Sequence, residues 1–68
     1  MDDDAFNMSL RKFLKYVGVS SQREIEAAVA SALQAGALKG DETLAAKMTL
    51  EIPGAKLQVS FDGEIKLA

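Results

Sequence analysis

Cysteine, histidine and tryptophan are missing from this chain of 68 residues, and proline occurs once. Without cysteine there are no disulfides to staple a small domain and no thiolate ligands for a metal. Without histidine the commonest general base and the commonest metal ligand are gone as well. No apolar run approaches the roughly 18 residues that span a bilayer, so no membrane attachment is expected. A basic excess is also lacking: ten acids stand against eight bases, a formal charge of −2. Nucleic-acid binders use such an excess to release counterions from phosphates, so nucleic acid is disfavoured as a partner. The opening Met1-Asp2-Asp3-Asp4 is the reverse of the basic start of a signal peptide, and a cytoplasmic protein is expected.

What is present suffices for a fold. Leu, Ile, Val and Phe make up 18 of the 68 residues, above the roughly 20% below which highly charged chains stay disordered. Residues 1–68 are expected to form a single small domain with a thin core, since so short a chain buries only about 60% of its unfolded surface.

Two helices are expected in the first half. Phe6, Leu10, Phe13, Leu14 and Val17 share one helical face. Asp2 to Asp4 supply caps and favourable charge at its start, and Gly18 is the expected stop. Ser20 or Ser21 then caps a second helix, Ser21 with Glu24 fitting a capping box. Ile25, Ala28, Val29, Ala32, Leu33 and Gly36 share its face, and Gly36 is its expected end. So short a connection makes the pair a helical hairpin or a helix-turn-helix corner.

After Gly40 the apolar period falls from 3.6 to 2. Leu44, Ala46, Met48, Leu50 and Ile52 alternate with Thr43, Ala45, Lys47, Thr49 and Glu51, as in a half-buried strand. A two-residue turn at Pro53-Gly54 pairs Leu50 with Leu57, Met48 with Val59 and Ala46 with Phe61. It also sets Glu51 opposite Lys56 and Thr49 opposite Gln58. A glycine-bulge turn at Phe61-Asp62-Gly63-Glu64 then starts a third strand, with Ile65 against Val59 and Leu67 against Leu57. The expected fold is therefore α+β: a two-helix hairpin packed on a three-stranded antiparallel meander, in the order helix-helix-strand-strand-strand. One core should gather Phe6, Leu10, Phe13, Leu14, Val17, Ile25, Val29, Leu33, Leu44, Met48, Leu50, Leu57, Val59, Ile65 and Leu67.

Chemistry is hard to find. The acids at 2–4 have no loop to converge them on a cation and read as a helix start. Asp41 and Glu42, adjacent at a strand entrance, point to opposite sides. Asp62-Gly63-Glu64 reads as turn chemistry. No phosphate loop or nucleophile elbow occurs. No catalytic residue, metal ligand or cofactor is expected, and the protein is not expected to be an enzyme.

Two surface stripes are more informative. Met8, Arg11, Lys12, Lys15 and Tyr16 form a small basic strip on the outer face of the first expected helix, suited to an acidic partner or phosphates. Arg23, Ala27, Ala30, Ser31 and Gln34 form a bland outer face on the second, which could meet another helix or a second copy. Monomer and weak homodimer are both compatible with this pattern, a dimer using either the 43–52 strand edge or the Ala27/Ala30/Gln34 face.

From Leu10 to Ala27 the chain looks like a helix-turn-helix, which a downstream hairpin would turn into something like a winged helix. The would-be reading helix opens Ser21-Gln22-Arg23-Glu24-Ile25-Glu26, one base against two acids, so DNA affinity should be micromolar at best. A wider resemblance runs over nearly the whole chain. FNMSLRKFLKYVGVSSQREIE, LKGDETLAAKMTLEI and DGEIKL are similar to a family of small uncharacterised bacterial proteins of about this length. That resemblance implies a complete protein and a bacterial cytoplasm, and carries no activity or site. The best functional expectation is a small cytoplasmic protein-interaction module without catalytic activity. A winged-helix nucleic-acid binder is the alternative.

Overall fold

The computed structural model describes residues Met1–Ala68 as two units, Met1–Ala37 and Leu38–Ala68. The first is a single helix, α1, from Asp3 to Gln34. Its start follows from the acids. The Asp2 side chain accepts the Ala5 amide at 3.1 Å, and its carbonyl accepts the Phe6 amide at 3.0 Å. Asp3 and Asp4 sit in the first turn, where negative charge meets the positive end of the dipole. The end follows from Gly36, at φ +79°. The Gly36 amide donates to Leu33 O at 3.1 Å and the Ala37 amide to Ala32 O at 2.9 Å. This pair of bonds is a Schellman closure, and the left-handed residue it needs is glycine.

The expected break at Gly18 does not occur. Helix runs unbroken through Gly18-Val19-Ser20-Ser21, so two helices become one and the helix-turn-helix corner is absent. Breaking there would orphan about four carbonyls and four amides. The signals for a break are weaker than that. A mid-helix glycine costs about 1 kcal/mol, and a capping box replaces only two of the lost partners.

Continuity joins the two expected apolar faces. Phe6, Leu10, Leu14, Val17, Ser21, Ile25, Ala28, Ala32 and Gly36 follow one another in steps of four, four and three. An 11-residue period of this kind keeps a stripe on one side of a nearly straight helix. Polar Ser21 sits in its middle.

The second unit is a β-hairpin. Strand β1, Thr43–Ile52, pairs antiparallel with β2, Leu57–Lys66, in a two-stranded sheet. Leu44 faces Ile65, Met48 faces Phe61, Leu50 faces Val59 and Ile52 faces Leu57. The expected pairing was two residues out of register. The expected faces survive, because a slip of two leaves every side chain on its side. The cause is the turn. Pro53–Ala55 form a 3-10 turn and Lys56 is left-handed at φ 54°, giving four loop residues in place of two. Lys56, not Gly54, supplies the positive φ.

No third strand forms. Asp62-Gly63 passes through the middle of β2, Gly63 lying opposite Ala46. A bulge there would have left a strand of four residues. Continuing straight pairs all ten residues of β1 with all ten of β2. The ladder outweighs the local turn propensity of Asp-Gly. The chain is α+β, in the order helix-strand-strand rather than helix-helix-strand-strand-strand.

The expected single core is not observed. No side chain is buried. On the helix Val17, Val29 and Ala32 are half-buried, while Phe6 and Phe13 are 50% and 48% exposed. On the hairpin Leu44, Ala46, Leu50, Val59 and Ile65 are half-buried, and Phe61 is 57% exposed.

Candidate functional site

All nine candidate interaction residues lie on α1. Met8, Arg11, Lys12, Lys15 and Tyr16 occupy its first half, Arg23, Ala27, Ala30 and Gln34 its second. On one continuous helix the two outer faces align. Met8, Lys12, Lys15, Tyr16, Arg23, Ala27, Ala30 and Gln34 recur at helical spacing on the side away from the apolar stripe. Arg11 lies at the margin. The structure thus makes one long face of two surfaces expected on separate helices. Met8 and Tyr16 are 73% and 68% exposed on it.

Val19 and Ser20 complete this face, and sequence reasoning missed both by assigning them to a turn. With Lys12, Lys15, Tyr16 and Arg23 they line a shallow open hollow. Once the helix is continuous, the signal is plain: Val19 is four residues from both Lys15 and Arg23. A second shallow hollow, lined by Asp4, Asn7, Met8 and Arg11, lies nearer the N-terminus by about three turns of 3.6 residues.

The charge of this segment follows from the residues between the two acidic clusters. From Ala5 to Arg23 there are four bases, Arg11, Lys12, Lys15 and Arg23, and no acid. The near-neutral total conceals a basic middle. The acids flank it, Asp2 to Asp4 before and Glu24 and Glu26 after. Tyr16 and Val19 place apolar area among those bases, a combination that suits a surface able to desolvate against a partner.

Three acidic residues of the second unit, Glu42, Glu51 and Asp62, have local partners. Glu42 turns its carboxylate back onto its own loop. Its oxygens accept the Lys39 amide at 2.8 and 3.1 Å, the Gly40 amide at 2.9 Å and the Asp41 amide at 3.2 Å. Gly40, at φ +106°, allows the backbone to wrap in this way. The amide of Lys39 first, then that of Gly40, holds the Glu42 carboxyl below its ordinary value of 4.5. Asp62 lies opposite Lys47 in the ladder. Thr49 and Ser60 hydroxyls meet at 3.1 Å, and Gln58 Nε2 donates to Glu51 Oε1 at 3.5 Å. The expected Glu51–Lys56 and Thr49–Gln58 pairs are replaced by these. No three acidic side chains are grouped so as to hold a metal ion. No helix is long and apolar enough to cross a membrane.

A family model spans this arrangement end to end, matching residues 1–68. The chain belongs to DUF6494, a family of unknown function. No curated protein and no solved structure matches it. In this DUF6494 chain, then, the functional argument rests on the α1 face itself. That face offers positive charge, one aromatic ring and small side chains on a rigid rod about 48 Å long, at 1.5 Å per residue.

Proposed function

We propose that this protein is a small, non-catalytic interaction module whose basic α1 face docks on an acidic protein surface. The observation that carries the reading is the merger of the two stripes into one face around Lys12, Lys15, Tyr16, Val19 and Arg23, within an acid-free stretch from Ala5 to Arg23. Charge steers such encounters and sets their specificity, while the tyrosine and valine supply area to exclude water. The setting we propose is a bacterial cytoplasm, in line with the family resemblance.

Fluorescence anisotropy with labelled poly-L-glutamate tests the reading directly. Binding at low ionic strength should weaken with salt, as exposed charges are screened beyond about 10 Å at 0.1 M. It should be lost in the triple variant Lys12→Glu, Lys15→Glu, Arg23→Glu and kept in Lys47→Glu, on the hairpin. Equal loss in both variants, or no binding at all, would remove the proposal. A mixed-sequence DNA duplex is the competing arm. DNA held at nanomolar affinity in about 150 mM salt, where nonspecific phosphate contacts fade, would move the assignment to nucleic acid.

A further inference from the structure

Strands β1 and β2 form a two-stranded sheet, so each keeps one side without a neighbouring strand. The phase of the ladder decides which groups that side presents. Leu67 N–H donates to Glu42 O, directly across the continued register. Opposed residues of an antiparallel pair exchange bonds at every second position, so Leu44, Ala46, Met48, Leu50 and Ile52 bond to β2. The amides and carbonyls of Thr43, Ala45, Lys47, Thr49 and Glu51 therefore point outward, and none has a hydrogen-bond partner in the chain. All five residues are exposed. Proline, a bulge or a short strand ordinarily guards such an edge. Strand β1 has none of these over its ten residues.

We propose that this edge pairs antiparallel with β1 of a second copy, giving a four-stranded sheet with its two-fold axis at Thr49. A free edge takes another strand because a strand satisfies the whole row of donors and acceptors. The charges of β1 select which strand. A two-fold pairing must match itself when reversed. With Thr49 on the partner's Thr49, Lys47 lies opposite the partner's Glu51, and Glu51 opposite the partner's Lys47. All three pairs join outward-bonding residues, so about six backbone bonds form. On the other face Met48 stands beside the partner's Leu50 and Ala46 beside the partner's Ile52, so the apolar surface continues across the joint.

Other pairings lose this match. Centring on Lys47 sets lysine on lysine. Centring on Met48 adds one bonded pair but gives up both charge pairs, leaving Lys47 on Thr49 and Glu51 on Ala45. A shift of one residue in the pairing turns apolar side chains to the polar face. Two-fold pairings of β2 centred on 61, 62 or 63 bring Asp62 directly or diagonally against Asp62 or Glu64 of the copy. Pairing β1 with a copy's β2 is head to tail and leaves a free edge at both ends, an open ribbon instead of a closed dimer. The basic α1 face supplies nothing to this edge, so the dimer and the acidic-partner reading fail separately.

Sedimentation equilibrium and a cysteine scan of the full chain test this. Wild type, 7.3 kDa, should be half dimeric near about 0.1 mM and monomeric near about 1 µM. Thr49→Pro removes only an outward N–H, which an edge strand tolerates. It should weaken the dimer by about thirtyfold or more, since two bonds at the axis are lost. Amide protection at Met48 and Leu50 should persist in it. The register is read separately. The chain has no cysteine, so an introduced thiol reports its own neighbour. Directly opposed, hydrogen-bonded residues lie about 5.5 Å apart at Cα, within disulfide reach. Under mild oxidation Thr49→Cys should cross-link to itself, while Lys47→Cys and Glu51→Cys should cross-link only when mixed. A monomer at all concentrations up to about millimolar, assemblies growing beyond two copies, or cross-linking of Lys47→Cys with itself or with Thr49→Cys in preference would overturn the proposal.

Discussion

The Glu42 carboxylate accepts the amide of Lys39 on both of its oxygens, at 2.8 and 3.1 Å, across three residues of chain. Two further amides converge on the same carboxylate, and Leu67 N–H donates to Glu42 O at 2.9 Å. One residue therefore shapes the loop into β1 and ties the last residue pair of the hairpin to it.

The pH dependence of the hairpin follows from that carboxylate. Its folded pKa lies below the ordinary 4.5, the Lys39 amide contributing most. A depressed acid stabilises the fold above the unfolded pKa, and the contribution disappears as pH falls through the folded value. The Lys39 and Gly40 amide resonances should therefore titrate together with a midpoint below 4.5. Glu42→Gln should abolish that shared titration and speed amide exchange at both positions. A midpoint at or above 4.5 would contradict the geometry.

Glycines at the middle and end of α1 should respond in opposite directions to the same substitution. Gly18 is helical, and an added Cβ meets nothing within 4 Å. Gly18→Ala should stabilise the helix by about 1 kcal/mol. Gly36 sits at φ +79°, where an L side chain costs about 1–2 kcal/mol, so Gly36→Ala should destabilise it. Thermal melts followed by far-ultraviolet circular dichroism read both. Destabilisation by Gly18→Ala would argue for a corner at that point.

Lys56 is the strained residue of the hairpin turn. It holds φ 54° and donates its amide to Pro53 O at 3.0 Å. Lys56→Gly should stabilise the hairpin by about 1 kcal/mol, and Lys56→Val should cost more than that. The slowing or speeding of amide exchange at Leu50 and Val59, which pair near the turn, measures each effect.

Gly63 tests the length of β2. It is an extended strand residue opposite Ala46, with open space where a side chain would stand. Gly63→Val should add cross-strand contact and stabilise the hairpin by up to about 1 kcal/mol. A left-handed glycine in a bulge turn would give the reverse, with loss of protection from Thr43 to Lys47.

The sequence by itself determined which side of each segment every residue occupies. Period 3.6 sorts Phe6, Leu10 and Val17 from Lys12 and Lys15, and period 2 sorts Leu50 and Val59 from Thr49 and Ser60, because side-chain direction is a local property of the backbone. The capping acid Asp2 and the terminator Gly36 were legible for the same reason. Continuity and register were not, since each depends on hydrogen bonds summed over many residues. Gly18-Val19-Ser20-Ser21 carries a local stop signal that the intact helix overrides, and Asp62-Gly63 carries a turn signal that six further strand pairs override. The candidate face shows the consequence. Its bases and Tyr16 were named from the sequence, but only the unbroken helix sets Lys15, Val19 and Arg23 in line.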